Sequence, residues 1–181
     1  MVIFNSPNKY YYAMAKTGTM KQAIPMNDRF ESRFDYQKVA PGAYKAMDAL
    51  DGWIARCDAL DPVLIDLARL RASQLNGCVY CVDLHWRDLR DKGVPERRLA
   101  ALPTWRESAI FDNRERAVLE WTEAVTFIHG DRADDASYRR TVAVLGESVI
   151  AALTVVIATI NAWNRLSIAA RLQPEIDADS H

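Results

Sequence analysis

The segment LDPVLIDLARLRASQLNG, Leu60 to Gly77, leaves the backbone one good choice. Asp61 can accept from the free N–H groups of a first helical turn. Pro62 suits the first helical position, where its missing N–H costs nothing. Leu64, Leu67, Ala68, Leu70 and Leu75 then form an apolar stripe at helical spacing. Asn76-Gly77 ends it, because glycine enters the left-handed region without penalty. The predicted unit is a helix that begins at Pro62 and stops at Asn76-Gly77.

The rest of the chain from residue 36 repeats this grammar. Pro41-Gly42 breaks YQKVAPGAYKAMDALDGWIARC, after which Tyr44, Met47, Leu50 and Ile54 recur at spacings of three, three and four. A second helix starts at or just before Cys78 and stops at Gly93, and a short one begins near Pro95. Asp112 with Glu115 three residues on is a capping-box pattern, for a helix expected to end near Gly130. DDASYRRTVAVLG and ESVIAALTVVIATINAWNRLSIAARL complete the set. The β-branched run Thr154 to Ile157 is short and lies inside a longer helical stretch. The prediction is an all-α fold of about six or seven helices, in three parts: an N-terminal extension (1–35), a helical domain (36–172) and a C-terminal tail (173–181).

Half of the 181 residues are hydrophobic, which is ample for one core. Lys and Arg number 23 against 24 Asp and Glu, so neither nucleic acid nor an anionic membrane is an expected partner. The most apolar run, Ser148 to Ile160, is too short to span a bilayer and reads as a buried helix. The N-terminus has no continuous apolar segment of the secretory type. Met20 and Met26 are candidate starts, and the first 19 residues are set aside from the fold reading. Three cysteines without a signal sequence argue for a cytoplasmic protein rather than a disulfide scaffold.

Two of those cysteines and one of three histidines fall within NGCVYCVDLHW, residues 76 to 86. On a helix Cys78 and Cys81 are i and i+3, and Cys81 and His85 are i and i+4, so all three line one stripe. Cys78 falls at the helix N-terminus, where free N–H groups and the dipole favour a thiolate. A thiolate beside an imidazole is what nucleophilic sulfur chemistry requires. Cysteine is also often a small buried hydrophobe, and Cys57, with no local partner, is read as core filler. Zinc wants four ligands; His129 and His181 sit at a helix end and at the last residue, and there is no second Cys-x2-Cys. Haem attachment needs histidine where Val82 stands, and a thioredoxin site needs a strand before it. No metal and no cofactor are therefore expected.

The run DLARLRASQLNGCVYCVDLHWRDLRDKGVPERRLAALPTWRESAIFDNRERAVLEWTEAVT resembles the core of the alkylhydroperoxidase D-like proteins, within the carboxymuconolactone decarboxylase family. The resemblance extends over roughly 36–172 and is closest over 61–127. It implies an all-helical fold, a homo-oligomer and thiol-dependent reduction of small hydroperoxides. It also implies an external dithiol or lipoyl-type reductant. The family's relay glutamate, twelve residues before the first cysteine, corresponds here to the shorter Asp66, which would otherwise be read as a surface charge. Tyr80 stands where the peroxidase has a histidine between its cysteines. Asn164 has two readings, one facing the site and one as a helix–helix hydrogen bond; Arg69 and Arg71, two apart, read as solvated or salt-bridged.

The expected catalytic set is Cys78, Cys81, His85 and Asp66. In it His85 activates Cys81, Asp66 orients or recharges the imidazole, and Cys78 resolves a sulfenic acid on Cys81. Two other readings remain: a cofactor-free decarboxylase or lactone-processing enzyme with His85 as acid or base, and a redox-responsive protein without turnover.

Overall fold

A computed structural model describes residues 30–129 and 133–175. Most of the expected extension, the candidate starts Met20 and Met26, Gly130 and His181 lie outside the described residues. All regular secondary structure among the described residues is helical. The helices are α1 (Tyr36–Val39), α2 (Pro41–Ala55), α3 (Pro62–Asn76), α4 (Val79–Asp91), α5 (Glu96–Ala101), α6 (Asn113–Thr126), α7 (Asp135–Leu145) and α8 (Glu147–Ala170). A 3₁₀ segment, Leu102–Glu107, continues α5. The extra helix relative to expectation is the single turn α1. It forms because the Asp35 carboxylate caps the Gln37 N–H at 2.9 Å, and Pro41 forces a new start straight after it.

Local signals decide most boundaries. Asp61 accepts from Val63 N at 2.7 Å with Pro62 at the first position, and Gly77 closes α3 at φ 71°. The capping box at α6 is complete, Glu115 N donating to Asp112 at 2.9 Å and Asp112 N to Glu115 at 2.8 Å. The glutamate has a second use, an ion pair with Arg98 that fastens α5 to α6. Helix α6 stops at Thr126, short of the expected Gly130, with Phe127 as its C-cap.

Helices α3, α6 and α8 pack together at the centre, with α4 on α3 and α7 on α6. Leu67, Leu70, Val118, Leu119, Leu153 and Ile157 are fully or almost fully buried between them. The apolar run Ser148 to Ile160 lies inside the long helix expected for this segment: α8 has 24 residues and is apolar enough to cross a bilayer by length and composition. Its packing makes it a core helix instead. Its polar residues point inward, Asn161 donating to Thr126 at 3.1 Å and Asn164 to Ser73 at 3.0 Å.

Two polar networks fix the frame. In one, Glu123 accepts from Arg71 at 2.6 and 2.8 Å, Trp105 at 2.8 Å and Arg106 at 2.8 Å, joining α3, the 3₁₀ segment and α6. In the other, Asn76 donates to both Asn161 and Asn164, at 3.0 and 2.8 Å, tying the end of α3 to α8 just before Cys78. Asn164→Ala removes partners from Ser73 and Asn76 at once. Its expected cost is about 2–3 kcal/mol, read as a lower urea midpoint with unchanged m-value. A change below about 0.5 kcal/mol would mean that water replaces the amide without penalty.

Candidate active site

Gly77 lets the chain reverse without a linker. Its left-handed backbone sends Cys78 N back to Ser73 O at 3.1 Å, and α4 begins one residue later. Cys78 is thus the N-cap of α4, not its first residue. Its backbone is extended and its sulfur accepts from Cys81 N at 3.3 Å, the place an oxygen cap usually fills. Cys78 and Cys81 form a disulfide with Cα atoms 5.4 Å apart, within the ordinary range for such a bond. Both are buried beside Ala72 and Ile160, with Tyr80 and Trp163 packed alongside.

A cavity of about 550 Å³ opens where α2, α3, α4 and α8 meet. Cys81 and His85 line it, as expected of residues one turn apart, with Tyr80 beside them; Cys78, expected on the same stripe, is not part of the lining. Tyr44 and Trp163 also line it, edge to face at 5.4 Å between ring centroids. The volume is in the range of organic ligands rather than a few waters.

A chain of charges runs along one side of the cavity, with Asp66 and Lys92 outside its lining. His85 Nδ1 is 3.2 Å from Asp88 Oδ2. Asp66 is 3% exposed, not the surface charge that its residue type suggests by itself. Lys92 at 2.6 Å and Arg69 at 3.4 Å neutralise it, which is how a carboxylate survives burial. Arg69 reaches on to Asp51 at 2.8 Å, and Asp51 accepts from the Trp163 indole. One nitrogen of His85 and one oxygen each of Asp66 and Asp88 lie within 4.8 Å of one another. Those three atoms could in principle meet a cation, but Lys92 already supplies positive charge there, so the group suits proton handling better than metal ligation. The hydrogen bond with His85 holds the Asp88 carboxyl below the usual range, against partial burial; His85, Lys92 and Arg69 charges add to the lowering.

The structure thus gathers all four expected residues in one place, with Cys81 and His85 at the cavity surface, Cys78 behind and Asp66 buried beside the histidine. Asn164 takes its structural reading, a bond between helices, and Arg69 and Arg71 are both salt-bridged. Cys57 is a free thiol, partly buried against the core. Sequence reasoning missed Asp88 and Lys92. The signal was present: Asp88 follows His85 by three and precedes Lys92 by four, one face of α4. Asp51 and Trp163 could not be found this way, being 112 positions apart.

Residues 41–124, from the start of α2 almost to the end of α6, match the carboxymuconolactone decarboxylase family. The uncharacterized protein YdfG of Bacillus subtilis (strain 168) is 34% identical over 137 residues, 76% of this chain and 92% of YdfG. The chain belongs to the carboxymuconolactone decarboxylase family. A second uncharacterized relative, YnjA of Escherichia coli (strain K12), is 31% identical over 119 residues, 65% of each chain. A crystal structure of an Agrobacterium tumefaciens protein of unknown function, named for the antioxidant defence protein AhpD, superposes with a TM-score of 0.78 at 36% identity. It covers 81% of this chain and all of that one. The helical fold is therefore the AhpD-like one. The matched stretch of the family contains all four expected site residues, whereas Trp163, Asn161 and Asn164 come from α8, beyond it.

Proposed function

We propose that this family member is a thiol-dependent peroxidase, reducing hydroperoxides through Cys78 and Cys81 in antioxidant defence. One observation carries the reading: the two sulfurs are bonded at the start of α4 while only Cys81, with His85, opens on the cavity. In the reduced protein His85 takes the Cys81 proton. The thiolate attacks the terminal oxygen of ROOH, the O–O bond breaks, and RO⁻ leaves as ROH on taking a proton. Cys81 is now a sulfenic acid. Cys78 attacks its sulfur, the S–O bond breaks, and hydroxide departs as water with the Cys78 proton. Two thiols have supplied two electrons, and an external dithiol of the lipoyl type returns them by exchange. The same reading includes a homo-oligomer and no nucleic-acid or membrane partner.

The test is consumption of cumene hydroperoxide with excess dihydrolipoamide, alongside thiol counts before and after. Loss of peroxide with reversible loss of two thiols is the expected result. Intact peroxide and intact thiols would overturn the reading.

Asp66 is the carboxylate of the proposed relay, orienting the imidazole or recharging it between turnovers. Asp66→Asn takes the close carboxylate from Lys92, leaves Arg69 with Asp51 alone, and cannot accept a proton. Thiol oxidation should slow by roughly tenfold or more and its pH profile should move, while Asp66→Glu should retain the rate. Unchanged kinetics in Asp66→Asn would remove this residue from the mechanism.

A further inference from the structure

Two carboxylates flank His85, and their surroundings differ. Asp66 is buried and committed to two cations, Lys92 and Arg69. Asp88 is half-exposed, and its one close partner among the described contacts is His85 Nδ1 at 3.2 Å. The charged groups around the imidazole come from three helices: Asp88 and Lys92 from α4, Asp66 and Arg69 from α3, Asp48 and Asp51 from α2. Helix α8 contributes Trp163 and Ser167 to this cavity, neither of which titrates there.

We infer that Asp88 is the positioning residue that fixes the His85 tautomer and thereby sets the reactivity of Cys81. The inference rests on the reading of Cys81 and His85 given above. An ionised carboxylate can only accept, so the hydrogen on this contact belongs to Nδ1. The lone pair of neutral His85 is then confined to Nε2, the nitrogen left for the thiol. Once His85 holds the Cys81 proton, the Asp88 charge stabilises the imidazolium and so the thiolate beside it. The low position of the Asp88 carboxyl supports this, since it stays ionised at neutral pH. Asp66 cannot serve as well, because its charge is already answered by Lys92 and Arg69. An i, i+3 contact inside one helix also holds its geometry without help from the rest of the fold.

The experiment uses reduced Cys78→Ser protein, with alkylation of Cys81 by iodoacetamide followed against pH and quantified on the Cys81 peptide, so that Cys57 does not interfere. Asp88→Asn should move the midpoint upward and slow alkylation at pH 7 by roughly ten- to a hundredfold, the effect of a shift of one to two units. Asp88→Glu should recover most of the rate. ¹⁵N spectra of the His85 ring should show one tautomer in the parent protein and a mixture in Asp88→Asn. Unchanged alkylation and an unchanged tautomer in Asp88→Asn would overturn the assignment. Alkylation needs no hydroperoxide. A protein inert to peroxide but showing this profile would therefore sink the peroxidase and leave Asp88 in its place.

Discussion

Cys78→Ser is expected to stop the cycle with a sulfenic acid on Cys81, trapped by dimedone after one equivalent of hydroperoxide. Cys81→Ser should react slowly, and neither variant should turn over. Two physical effects compete for the better thiolate. The α4 dipole acts most strongly on Cys78, whose sulfur also caps the Cys81 N–H. That effect is worth about 0.3–1 kcal/mol at an exposed terminus and up to about 2 kcal/mol at a buried one such as this, or about 1.5 pKa units at about 1.36 kcal/mol each. A histidine one turn away acts on Cys81 and can also take its proton; a close charge in a partly buried site is worth about 1–3 units. Access points the same way, since Cys81 lines the cavity and Cys78 does not. Sulfenic acid accumulating on Cys78 in the Cys81→Ser protein, with Cys78→Ser inert, would show that the roles are exchanged.

The largest expected loss of stability comes from Glu123→Ala, about 3–5 kcal/mol in denaturant unfolding. The carboxylate is the shared acceptor of Arg71, Trp105 and Arg106. Arg71 is 12% exposed, so removing its partner strands a largely buried cation, and the Trp105 indole N–H loses its acceptor too. Arg106 is 54% exposed and adds little. Glu123→Gln keeps an oxygen acceptor and should cost less than half as much. Burial pushes the Glu123 carboxyl up, but hydrogen bonds from Trp105, Arg106 and Arg71 outweigh it and hold it below its ordinary 4.5. The folded value being lowered, the unfolded chain binds this proton more readily. The contribution is therefore complete above pH 4.5 and drains as the pH falls through the folded value. A Glu123→Ala protein within 1 kcal/mol of the parent would mean that Arg71 reaches water or another carboxylate.

Asp61-Pro62, Asn76-Gly77, Asp112 with Glu115, and the apolar stripes all act within one helical turn or along one helix. Such signals are complete in the sequence, because hydrogen bonds between near neighbours need no fold to bring the partners together. The same holds for Cys81 and His85, one helical turn apart, and it would have held for Asp88; Cys78 departs from the expected stripe because it is the extended N-cap of α4. The end of α6 at Thr126 was not legible, since glycine at 130 offers a stop without forcing it.

Near-neighbour hydrogen bonds and helical periodicity specify the helical class, the main caps and the Cys81–His85 pairing. What surrounds that pair depends on how the helices pack. Asp66 becomes a buried charge because Lys92, on another helix, comes within 2.6 Å. Trp163 becomes a cavity wall because α8 crosses α2 and α4, and Asn164 becomes a strut because α3 ends against it. Burial and cross-helix pairing depend on which faces meet. That is set by the packing of all the helices at once, which no window of neighbouring residues contains.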